Sequence, residues 1–391
     1  MTGLPADARL FESGTMVPVY EQLPFVPVRG EGCEIVTADG RRILDLYGGH
    51  AVAALGYGHP ALTRAISDQV GTLLFQSNAL ALDVRAQAAA SLVAVSPPSL
   101  TRVFLVNSGA EANENALRLV CSTTGRARVL AVSHGFHGRT AAAGAVTWKS
   151  AASWYGFPRT PFDVDFIPRD DVAAVAAMID DSVAGVIFEP VQGIAGAYAL
   201  SREFVAALRE RCTATGALLI ADEVQCGMGR SGHFFAVEAY GIEPDMLTNA
   251  KALGGGIPCG ALLCTEALSA QLKSGSLGTT FGGGPVAAAA IVAVIDAIRT
   301  EGLLDNVRAR EAEIRERCMT GPVRSVRGMG LLLGLVCDRP AVEVRDALLA
   351  MDILTGTSSD PAVLRLLPSL ILTSGHVDRL AVALASIGPA S

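Results

Sequence analysis

Apolar runs of about five or six residues recur along the middle of the chain, each separated from the next by helix-like sequence. RVFLV (102–106) leads into AEANENALRLV, and ARVLAV (127–132), VAGVIF (183–188), ALLIA (217–221), DMLTN (245–249) and GALLC (260–264) follow. Between them, DDVAAVAAMID and SREFVAALRERC repeat apolar positions at helical spacing, and each opens on an Asp or Ser suited to capping. Strands apolar on both faces, alternating with helices, predict a mostly parallel α/β sheet with helices on both sides. This pattern spans about residues 55–285. The ends read differently. Residues 29–47 read as a hairpin with Asp39-Gly40 at its turn, and 305–391 read as helix, strand (LLLGLV), helix, short strands, helix. Three segments are expected: 1–54, a large domain over 55–285, and 286–391, with both ends building one small α+β domain.

Composition narrows the function. A 391-residue chain that is half hydrophobic can bury a sizeable core, and its length suggests two or three domains. The net charge of −7 comes without a basic cluster, which argues against nucleic acid as a partner. No apolar run reaches the ~18–20 residues needed to span a bilayer. The first twenty residues lack a basic stretch followed by an apolar one, so no secretion signal is expected. Eight cysteines, none in a C-x-x-C pair, fit buried thiols in a reducing cytoplasm rather than a disulfide framework. His134 and His137 form H-x-x-H with no further ligand nearby in sequence; they are expected to be loop histidines, and no metal is expected.

Ligands of open α/β sheets bind beyond the carboxyl ends of the strands. Asn107-Ser108-Gly109-Ala110 follows RVFLV and opens a helix, an arrangement suited to a phosphate. After ARVLAV comes SHGFHGRT, with an aromatic ring at Phe136 and a guanidinium at Arg139. Glu189 follows VAGVIF; Asp222, Glu223 and Gln225 follow ALLIA. A carboxylate at a buried strand end needs a cationic partner or a proton. Lys251 follows DMLTN among small residues, where desolvation would lower its pKa and make it a Schiff-base candidate. A phosphate cradle, an aromatic ring, an Asp and a Lys are the four parts that pyridoxal phosphate requires. There is no G-x-S-x-G elbow and no P-loop, and RGMGLLLG makes no dinucleotide fingerprint.

These stretches resemble the class III aminotransferases of the acetylornithine, ornithine and 4-aminobutyrate type over nearly the whole chain. The matching segments include NSGAEANENALRL, GFHGRT, EPVQG, LLIADEVQCGMGRSGHFFAVEAYGIEPDMLTNAKALGGGIPCGA and TTFGGGP. The resemblance implies the fold type I architecture of pyridoxal-phosphate enzymes: a large, mostly parallel sheet of seven-stranded type plus a small domain. It also implies roles. Lys251 would hold the cofactor's aldehyde and Asp222 would pair with the pyridinium. Gln225 would lie beside the ring's phenolic oxygen, with Val224 and Phe136 on the two ring faces. Ser108, Gly109 and Ala110 would hold the phosphate. Arg139 would bind a substrate carboxylate. Thr280 would reach the phosphate of a neighbouring subunit and Thr279 its substrate, so a homodimer with shared sites is implied. The small-molecule partners would be an amino donor, N2-acetylornithine best, and 2-oxoglutarate, as in arginine biosynthesis. Other ω-amino or α-amino donors, or racemase or decarboxylase chemistry on the same fold, remain open.

Three positions depart from the family's usual pattern. Ile194 stands where a glutamate normally covers an arginine late in the chain, matched here by Arg365. His50 lies on the substrate side, where Ile or Tyr is frequent. Gly284 precedes Pro285 where Asn is common, so that loop lacks a side-chain amide. With Ile194, Arg365 is expected to be uncovered unless Glu189 or another group compensates.

Overall fold

The computed structural model describes residues 14–389. Most of the segment in which a secretion signal was sought (1–13) therefore lies outside the described residues.

Seven strands form the large sheet. Their spatial order is Leu100–Val106, Gly260–Thr265, Met246–Asn249, Leu218–Asp222, Val183–Phe188, Arg128–Val132 and Asp163–Ile167. Gly260–Thr265 runs antiparallel to both neighbours, and the other pairings are parallel. The inner strand Val183–Phe188 is buried at every residue, as its unbroken apolar run requires. The edge strand Asp163–Ile167 is an addition to the pattern reading. Its DVDFI sequence carries two carboxylates because one side faces solvent.

Helix Gly109–Thr124 shows how sequence sets an element here. Ser108 caps it, its hydroxyl accepting from the Glu111 N–H, and Gly125 ends it in the left-handed conformation. Its buried face carries Ala112, Ala116, Leu117 and Val120, with Asn113 among them. A Cβ at Gly109 would sit 2.7 Å from the Val224 methyls, so only glycine lets this helix start so close to the end of strand Leu218–Asp222. Helix Pro285–Thr300 packs on Pro60–Thr72 and Asp83–Ala94. It begins at Gly284-Pro285 with no side-chain cap, in line with the missing amide.

The chain ends meet in a second sheet. Strands Pro27–Glu31, Glu34–Thr37 and Arg42–Asp45 pair antiparallel in turn, and Ile353–Leu354 joins Arg42–Asp45 in parallel. The Asp39-Gly40 turn links the second and third, with Gly40 at φ +86°. A three-stranded antiparallel sheet follows from Val323–Met329, Leu332–Cys337 and Val363–Leu366. The strand before LLLGLV was not expected, since VRSVRGM reads polar and Arg324 and Ser325 are exposed. RGMGLLLG is the tight hairpin between these two strands.

Candidate active site

The carboxyl ends of the parallel strands open into a cleft of about 470 Å³. Ser108, Gly109, Ala110, Phe136, Arg139, Glu189, Ile194, Asp222, Val224, Gln225 and Lys251 all line it. Four of the expected site residues do not. Thr279 sits behind Asn107, whose side-chain amide donates to Thr279 Oγ1 at 3.3 Å. Thr280 is exposed, outside the cleft of its own chain. His50 and Arg365 lie toward the C-terminal sheets.

Asp222 is the most heavily bonded group. Its Oδ2 accepts from Asn113 Nδ2 at 2.7 Å and lies 2.8 Å from His137 Nδ1, while Oδ1 accepts from the Val224 N–H at 3.0 Å. Thr248 Oγ1 donates to Asn113 Oδ1, which fixes the amide's orientation. His137 lies in a loop, as expected, but is not a bland surface residue. It is buried, with Nδ1 committed to Asp222, because Phe136-His137-Gly138 folds back over the strand ends. His134 is exposed, as expected. Asn113 and His137 were both missed. For Asn113 there was a signal: an amide on the apolar stripe of its helix.

Lys251 follows strand Met246–Asn249 with φ at +46°, an unfavourable backbone for a side chain and a feature that clusters at functional sites. Burial lowers its ammonium below the usual lysine value, with Asp222 and Glu189 pulling the other way. Glu189 Oε1 accepts from the Phe136 N–H at 2.8 Å. Burial pushes the Glu189 carboxyl up to about 7; His137 opposes the rise and Asp222 adds to it. Gln225 Oε1 is buried without a partner, and a Cβ on Gly193 would overlap it.

The loop carrying Ile194 is clamped through its backbone. Ser359 donates to the Ile194 carbonyl from its N–H (2.9 Å) and its hydroxyl (3.1 Å). Two residues earlier, the Thr357 carbonyl accepts from Arg365 Nε at 2.6 Å. Arg365 is only 5% exposed and makes no ion pair among the described residues. Its Nη2 donates to the Tyr47 hydroxyl at 3.1 Å, and Nη1 is buried without an acceptor. Burial lowers its pKa. The Tyr47 hydroxyl also lies 2.7 Å from His50 Nδ1. Burial, then Arg365 and Lys251, hold the His50 pKa down. Residues 48–51 all adopt positive φ, two of them glycines, and this turn brings His50 over Tyr47.

A model of the family described as aminotransferase class-III matches residues 15–387. The acetylornithine aminotransferase of Streptomyces coelicolor is 41% identical over 96% of this chain and 93% of its own. A succinylornithine transaminase/acetylornithine aminotransferase of Pseudomonas aeruginosa is 37% identical over 93% and 92%. Among solved structures, the ornithine aminotransferase of Toxoplasma gondii superposes with a TM-score of 0.90 at 26% identity, covering 97% of this chain and 94% of its own; it is described with pyridoxal phosphate at partial occupancy in its active site. The acetylornithine aminotransferase of Elizabethkingia anophelis gives 0.87 at 27% identity, covering 97% and 98%.

Proposed function

The chain belongs to the class III aminotransferases, enzymes of pyridoxal-phosphate fold type I, and on that premise we propose that it moves the terminal amine of an ω-amino acid of the N2-acetylornithine kind to 2-oxoglutarate. The products are the semialdehyde and glutamate. Names of relatives at 37–41% identity support the ornithine-derivative donor.

Pyridoxal phosphate fits the residues present. The start of a capped helix, Ser108-Gly109-Ala110, lines the cleft, where first-turn N–H groups suit a phosphate. The unpartnered Gln225 Oε1 marks a place for a polar group in the cleft. Ser108, Gly109 and Ala110 would hold the phosphate, Phe136 and Val224 the ring faces, and Asp222 the pyridinium. When bound, the cofactor supplies an electron sink that eases proton loss from the amine-bearing carbon.

The protein's share is binding and proton handling. Asp222 is held rigid by Asn113, His137 and the Val224 N–H, so no reorganisation is needed at the reacting end. Lys251 Nζ, its pKa lowered by burial, can take a proton from the donor carbon and return it. Arg139 offers a planar fork for the donor's carboxylate. The observation that carries the reading is the convergence of Lys251 and Asp222 in one cleft beneath a helix start. A panel of ω-amino donors with 2-oxoglutarate tests it. Glutamate should form only when both substrates are present, and Lys251→Ala should abolish turnover. Product formed without a keto acid would instead indicate a racemase or decarboxylase.

The unpartnered Nη1 of Arg365 favours a second reading, in which α-amino donors compete well because no carboxylate covers this guanidinium. Half-reactions followed by the absorbance of the bound cofactor decide it. If acetylornithine reacts far faster than glutamate, and Ile194→Glu changes neither rate, the idea fails.

We also infer a homodimer with shared sites. Thr280 is exposed, and beside it Phe281 (65% exposed) packs at a tilt against Phe75, an apolar pair suited to a second copy of the chain. Unpaired cysteines support a reducing, cytoplasmic setting. No helix among the described residues is long and apolar enough to cross a membrane.

A further inference from the structure

Arg139 stands apart from the other charged groups of the cleft. It is exposed, and it makes no hydrogen bond or ion pair among the described residues. Its position comes from two rings. The guanidinium carbon lies 5.4 Å from the centre of the Phe136 ring and 5.4 Å from that of Trp154. Both distances are within the range of a cation–π contact. The five N–H donors therefore stay free while the guanidinium lies against two aromatic rings.

The two rings differ in what else they do. Phe136 lines the cofactor cleft. Trp154 does not line it and has no role in the reading above. Its placement is well defined. The Trp154 backbone N–H donates to the Ser150 carbonyl at 2.9 Å. The next residue, Tyr155, is pinned by its hydroxyl to the Ala141 carbonyl at 2.6 Å. The indole packs over Gly144, where a Cβ would come within 3.4 Å of it. An arginine free in solvent loses much rotamer freedom when it grips a carboxylate. Here an indole packed on Gly144 already limits part of that freedom.

We propose that Trp154 is a positioning residue for donor recognition: with Phe136 it holds the Arg139 guanidinium as a pre-set fork, and so sets the preference for amines that carry a carboxylate over amines that do not. The inference rests on Arg139 as the carboxylate fork, so the experiment separates the two. The probes are 4-aminobutyrate and n-butylamine, which share a carbon count and differ in the carboxylate, each with 2-oxoglutarate and the cofactor-loaded enzyme. The readout is the ratio of their kcat/KM values. Trp154→Ala is expected to lower that ratio about two- to five-fold, the size of an exposed cation–π contact. The change should lie in KM for 4-aminobutyrate, with kcat held. Trp154→Phe, which keeps an aromatic face, is expected to restore most of the ratio, and it also serves if the alanine variant folds poorly. Arg139→Ala should collapse the ratio. If Arg139→Ala collapses it while Trp154→Ala leaves it unchanged, or lowers both amines equally, the positioning role is overturned and the fork stands. If Arg139→Ala itself leaves the ratio unchanged, both are overturned.

Discussion

Glu223, next to Asp222, is fully buried and has no ion pair among the described residues. Its Oε1 accepts from the Val237 N–H at 2.8 Å, and Cys226 Sγ lies 3.1 Å from Oε2. Burial raises its carboxyl from 4.5 to about 7. The group therefore binds its proton more tightly when folded than when unfolded. The stability this contributes is fully present below about pH 4.5 and is lost as pH rises through about 7. At 1.36 kcal/mol per unit, the loss is about 3 kcal/mol. Glu223→Gln keeps the acceptor for Val237 and cannot ionise, so it should lie within about 1 kcal/mol of the native protein near pH 5 and exceed it by about 3 kcal/mol at pH 8.5. For 391 residues, an unfolding entropy of roughly 2.1 cal/mol/K per residue turns this into a Tm gain of about 4 °C. Differential scanning calorimetry at the two pH values measures it. An equal Tm difference at pH 5 and pH 8.5, of either sign, would refute the assignment of this proton to Glu223.

Gly193→Ala places a methyl where Gln225 Oε1 now sits. The fold should lose only about 1 kcal/mol, the cost of an altered rotamer, while cofactor affinity measured by titration weakens; unchanged affinity would mean that Gln225 does not contact the cofactor. Tyr47→Phe removes the acceptor of Arg365 Nη2, leaving a second buried N–H unpaired. Urea unfolding should show a loss of about 1–3 kcal/mol, and no loss would mean that this bond contributes nothing. Phe281→Ser, applied twice by symmetry in a dimer, should raise the dissociation constant by about two to four orders of magnitude in analytical ultracentrifugation. An unaltered dimer would place the interface elsewhere.

Much of this architecture was readable because both faces of the central strands are buried. VAGVIF and ALLIA have no polar position to confuse the period, so their carboxyl ends, and the polar groups beyond them, could be located. Asp163–Ile167 and Val323–Met329 were missed because each exposes residues to solvent, which breaks the apolar run. The rule that a strand-end carboxylate needs a partner or a proton applied in both ways: Asp222 has His137 and Asn113, and Glu223 holds its proton more tightly. Which acid would follow which course was not legible. That depends on a histidine folding back from another strand end, a contact across 85 residues with no local trace. Ile194 left open which group would compensate at Arg365; that Tyr47 does so in part was not legible, because it comes from the far end of the chain.

The short span 357–359 supports two things at once: the carbonyl of Ile194 and the guanidinium of Arg365. Lys251 and Asp222, by contrast, are rooted in the seven-stranded sheet. The site is thus assembled from two independently mounted halves, like a lens and its stage. On the proposed reading of Arg365, a change in the strap would shift how a donor is read and leave the seat of the chemistry where it was. A new amine preference would then need changes in only three residues of loop, without relearning how to move a proton.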